Sequence, residues 1–136
     1  MDLTDDELFT RFTDLTLPRE LFDHRSHLRF TWIVIQRCPL PEAVARVCGG
    51  IRAFATHVGA PGKYHATLTE ALVRVMDARG AAARGRTFEG FLADNPDLVG
   101  DARAVVLRYY GEALLDSPAA RAAFVAPDRE RLPGTS

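Results

Sequence analysis

The chain has 136 residues, a formal net charge of −1, 47% hydrophobic and 26% charged residues. A single domain of this length buries about two thirds of its unfolded surface, enough for a self-sufficient core. The charge balance excludes the basic excess of a nucleic-acid surface, and no apolar run approaches the ~20 residues of a membrane-spanning helix.

The acidic start, Met1-Asp2-Leu3-Thr4-Asp5-Asp6-Glu7, lacks the basic residues and apolar run of a secretory signal. A cytoplasmic location is expected. The basic side chains are arginines except for Lys63, the only lysine, and alanine is plentiful. We read this as the GC-rich coding bias of a bacterium, not as a phosphate-binding pattern. Cys38 and Cys48 fall on successive helices, farther apart than the ~7 Å a bridge tolerates, and are expected to be reduced core thiols.

Thr4 to Glu7 forms a capping box, and the helix it opens carries Leu8, Phe9, Phe12 and Leu15. That helix stops before Pro18, and Pro18 to Phe22 suits a short helical turn. Asp23 to Cys38 reads as the second main helix. Its middle, Phe30-Thr31-Trp32-Ile33-Val34-Ile35, is apolar nearly all round, which places it at the centre of a bundle. Pro39 and Pro41 force a break and restart. Val44, Val47, Ile51, Phe54 and Val58 then form one stripe, so the third helix runs to about His57. Gly49-Gly50 in its middle lowers local stability or lets a neighbouring backbone come close.

A fourth helix runs from about Tyr64 to Arg79, with His65, Leu68, Leu72 and Met76 on one face, and ends at Gly80. Thr87 caps a short helix that stops at Asn95-Pro96. Asp101 caps another, carrying Val105 to Tyr110. Ser117-Pro118 starts a last short helix to about Val125. The pattern predicts an all-α domain over 1–126, a compact up-down bundle of about five to six helices. An extended or flexible tail follows over 127–136.

The chemistry-bearing residues are the four histidines. His24 and His27 sit three apart on one helix face. Short connections make successive helices antiparallel. The starts of the second and fourth helices, with His24, His27 and His65, then meet at one end of the bundle. The end of the third delivers His57 there, as the weakest member of the group. Helix N-termini disfavour imidazolium, and neutral imidazole is what both a divalent metal and a general base require.

A site of His24, His27 and His65 suits zinc, iron, nickel or copper. Asp23 would orient an imidazole or complete the ligand set. Glu20 and Glu70 are within reach but worse placed. Arg29 would anchor a small acidic substrate, and Tyr64 would donate a hydrogen bond to it. Against this stand plainer readings: a surface His24, a carbonyl-bonded His27, and Arg29 paired with Asp23 or Glu20. No phosphate loop is present, because Gly59-Ala60-Pro61-Gly62-Lys63 lacks the spacing, so no nucleotide cofactor is expected. No serine occupies a nucleophile elbow, and neither cysteine has an activating basic neighbour.

Phe22-Asp23-His24-Arg25-Ser26-His27-Leu28, Tyr64-His65-Ala66-Thr67-Leu68-Thr69 and Leu107-Arg108-Tyr109-Tyr110 together resemble an uncharacterised family of small bacterial helical proteins. The resemblance covers most of the chain and implies the fold but no activity. The up-down helices and histidines are also distantly similar to DinB-type bundles, which hold a divalent metal with three histidines. Those bundles carry an HxxxH pair on a late helix, where this chain has HxxH on an early one.

Two functional readings follow. The first is a small enzyme acting on a small organic, and by the Arg29 argument acidic, substrate, with a metal at the histidines polarising an oxygen or activating water. In its metal-free form one imidazole is the general base. The second is a non-catalytic helical module that binds a partner or forms a homodimer through an apolar face, with structural histidines. Neither reading involves nucleic acid or membrane.

Overall fold

The computed structural model describes residues 3–134. Among the described residues there are nine α-helices and no strand. The all-helical expectation holds, and the larger number of helices comes from short pieces in the C-terminal half.

Helix α1 spans Asp5–Thr13 and opens with the capping box: Thr4 Oγ1 accepts the Glu7 N–H, and Glu7 Oε1 accepts the Thr4 N–H, each at 3.1 Å. A turn of 3-10 helix, Arg19–Leu21, follows Pro18. Helix α2, His24–Arg37, is capped by Asp23, whose Oδ1 accepts the Ser26 N–H at 2.8 Å. Every residue from Phe30 to Ile35 is buried. A helix with no polar face in its middle must lie inside the bundle, and α2 packs on α1, α3 and α4.

Helix α3, Leu40–His57, restarts at Pro39-Leu40-Pro41. A Cβ on Gly50 would lie 3.3 Å from the Phe30 ring tip, while one on Gly49 would meet nothing. What approaches closely at this pair is an aromatic ring rather than a backbone. Phe12 stacks on that same Phe30 and on Phe54, at 4.2 and 4.9 Å between ring centroids. These rings join α1, α2 and α3 in one aromatic core.

Helix α4, Ala66–Ala78, is capped by His65 and packs on α3 and α9. Then come α5 (Phe88–Asp94), α6 (Pro96–Gly100), α7 (Ala102–Val106), α8 (Glu112–Leu115) and α9 (Pro118–Ala122). The helix expected from Asp101 through Tyr110 ends at Val106, because Tyr109 and Tyr110 turn inward and are both buried. The Tyr110 hydroxyl donates to the Val125 carbonyl at 2.6 Å, which ties that turn to the segment after α9.

The tail lacks helix up to Gly134, yet it is pinned to the body. Asp128 Oδ1 accepts the Gly111 N–H at 2.6 Å, the Arg129 N–H donates to the Tyr109 carbonyl at 2.9 Å, and Leu132 is 1% exposed. Buried apolar side chains form one cluster from Leu3 to Leu132, so Leu132 belongs to the core. The last two positions of the predicted tail lie outside the described residues.

Candidate functional site

The starts of α2 and α4 and the second half of α3 do converge. They wall a cavity of about 580 Å³ lined by His24, His27, Ile51, Ala55, His65, Leu68, Thr69 and Leu72. Phe22, the 3-10 turn at Lys63, and the α6–α7 junction from Val99 to Arg103 complete it. The volume falls in the ~300–1,000 Å³ range of small-molecule sites, and the mostly apolar lining is typical of them. The convergence follows from the short connections: Cys38-Pro39 reverses α2 into α3, and Val58 to His65 reverses α3 into α4.

The three imidazoles stand in different chemical states. His65 is buried, and both its ring nitrogens are engaged. Its Nδ1 accepts the Leu68 N–H at 3.0 Å, capping α4, and its Nε2 donates to the Leu115 carbonyl at 2.7 Å. A ring that accepts at one nitrogen and donates at the other is the neutral Nε2–H tautomer. His24 is exposed, and its Nε2 donates to the Leu98 carbonyl at 2.8 Å, joining α2 to α6.

His27 is the exception. The residue is half-buried, but its Nε2 is shut off from solvent and has no hydrogen-bond partner. Its ring lies parallel to that of Phe22 at 6.2 Å between centroids. Burial, with a smaller contribution from neighbouring His24, lowers its pKa from 6.5 to about 4. His27 is therefore neutral at pH 7.

The remaining predicted residues lie off the cavity wall. Asp23 is occupied as the α2 cap. Arg29 donates to the Asp5 carboxylate at 2.8 and 3.1 Å and to the Leu3 carbonyl at 2.7 Å, so it binds α1 to α2 instead of facing the cavity. Its acidic partner is Asp5, not Asp23 or Glu20. Tyr64 packs beside Cys48; burial first, then the Cys48 thiol, push the phenol up to about 12. His57 is exposed, with its ring 6.5 Å from that of Phe54. Glu70 pairs with Arg74 at 3.0 Å. Both cysteines are free and half-buried, and burial raises Cys48 to about 11.

Lys63, Asp101 and Arg103 are charged wall residues that the sequence pattern does not mark as such. They come from loops and a five-residue helix, where no hydrophobic period marks direction. The one signal was Lys63's being the sole lysine.

Among the described residues no group of three or more His, Cys, Asp or Glu side chains is arranged to hold a metal ion. The hydrogen bonds give the reason. His65 has no lone pair to offer, since its Nδ1 takes the Leu68 N–H and its Nε2 carries a proton to Leu115, which leaves only His24 Nδ1 and His27. The trio shares a cavity, and in this arrangement His65 is committed to backbone groups at both nitrogens. No family model, no curated protein and no solved structure matches this chain.

Proposed function

We propose that the cavity binds a small organic molecule and that His27 makes its central polar contact, as a neutral imidazole able to exchange a proton with the bound molecule. The supporting observation is that His27 lines a wall shared with His24 and His65 while its Nε2, closed to solvent, has no partner, so that a small rotation of the ring would present it to a bound molecule. A shielded ring nitrogen left without a partner costs about 1–3 kcal/mol. Native structures leave few such groups, and those they leave are candidates for function. A ligand hydroxyl, amide or acid that pairs with this nitrogen recovers that energy only when bound.

The surroundings suit this role. His65 and His24 are locked by backbone carbonyls, so they hold α4 and α6 in place around His27. Phe22, Ile51, Leu68 and Leu72 supply apolar contact for the body of the ligand. The chemistry this arrangement supports is general acid/base catalysis by a single imidazole, without a metal. In the free protein His27 is a weak base, and an acidic or hydrogen-bonding ligand strengthens it.

The test is a titration of protein carrying ¹⁵N-labelled histidine with hexanamide, a short apolar chain with a neutral polar head. The His27 ring resonances move to saturation, and His27→Phe removes binding while the fold persists. Resonances that stay fixed at all cavity-lining residues refute the proposal.

A further inference from the structure

The wall of the cavity carries, among the described residues, two charges outside any ion pair, the Lys63 ammonium and the Asp101 carboxylate, and only the carboxylate has a hydrogen-bond partner. Among the charged side chains on its wall, Arg103 is bound to Asp116 at 2.7 Å. Asp101 accepts the Ala104 N–H at 3.0 Å as the cap of α7. Lys63 has neither an ion pair nor a side-chain hydrogen bond among the described residues.

The backbone around Lys63 is, by contrast, held firmly. Its N–H donates to the Ala60 carbonyl at 3.0 Å, and the Gly62 carbonyl accepts from Arg121 at 2.6 Å. A free lysine on a solvated loop has no significance. This one is carried to a cavity wall by a tied turn, in a chain that uses arginine at every other basic position. Arginine favours flat, two-pronged pairing, whereas an ammonium on a flexible stem offers a point charge that can follow a ligand.

We infer that the ligand class is a small organic acid, its carboxylate drawn in by the Lys63 ammonium to pair with His27 and its apolar body lying along Ile51, Leu68 and Leu72. This rests on the proposed small-molecule role of the cavity. It replaces Arg29 with Lys63 as the anchor.

The test compares hexanoate with hexanamide, equal in length and differing in head-group charge, by calorimetry and by the His27 ring signals. Wild-type protein binds hexanoate about five- to tenfold more tightly, as a charge-assisted hydrogen bond at a partly wet rim provides. Added salt narrows that preference. Lys63→Met brings the two affinities together, Lys63→Arg keeps most of the difference, and Asp101→Asn tightens hexanoate alone. Lys63 is exposed, so Lys63→Met folds, and its circular dichroism confirms this. Equal affinities in wild type, or a preference that survives Lys63→Met, overturn the acid assignment and leave the cavity reading standing. Binding of neither probe overturns both.

Discussion

His65 Nε2 reaches the carbonyl oxygen of Leu115 at 2.7 Å, fastening the start of α4 to the end of α8. The same ring caps its own helix through Nδ1. One imidazole thus closes a local and a long-range junction together, and it does so only as the neutral tautomer. His65, one of three histidines that the sequence offers as ligands, serves as a structural rivet beside the cavity.

His65→Ala removes both bonds and leaves a buried carbonyl and an orphan helix N–H. The loss is about 2–4 kcal/mol, a helix cap plus one unsatisfied group. Urea denaturation measures it. His65→Asn restores the cap alone and recovers about 1 kcal/mol. Equal stability of wild type and His65→Ala would contradict this assignment.

Equilibration with zinc or nickel, followed by gel filtration and elemental analysis, leaves well under one ion per chain. Binding at the three histidines would have to break the Leu115 or Leu68 bond of His65. A stoichiometric ion lost in His27→Phe would show that the imidazoles rearrange into a ligand set.

Stability depends on pH through His27. Its pKa is about 4 folded against 6.5 unfolded, so between these values the unfolded chain binds the extra proton. Stability is therefore full above pH 6.5 and falls as pH drops toward 4, with a slope approaching about 1.4 kcal/mol per pH unit from this one site. Urea midpoints at several pH values show the decline. His27→Phe flattens it and, by removing the unpaired nitrogen, raises stability at pH 7 by about 1 kcal/mol. A stabilised variant that no longer binds ligand is the expected trade at a functional position.

Leu132→Ala costs about 2–4 kcal/mol, the usual range for emptying a buried leucine site. Thermal or urea unfolding reads this directly. A change within about 0.5 kcal/mol, the level of a surface substitution, would mean that the segment after Pro127 is not docked.

The sequence made the long helices legible because their ends carry chemistry. Asp23 caps α2, Pro39 and Pro41 bracket the start of α3, and Thr4 caps α1. Their short connections also foretold that His24, His27 and His65 share one cavity. Helices α6 and α8, of five and four residues, were illegible, since neither completes two turns and so neither shows a period.

Hydrogen-bond partners were illegible too. Nothing near Arg29 in sequence announces Asp5, and nothing near His65 announces Leu115. Leu132 stands alone between charged and turn-forming neighbours, so its segment reads as a free tail although its side chain is core.

The most direct test of the account is the pH titration of the His27 ring nitrogens, with and without saturating hexanoate. The expected midpoint is about 4 in the free protein, moving upward once the acid is bound. A midpoint at the ordinary histidine value of 6.5, unchanged by the acid, would contradict it.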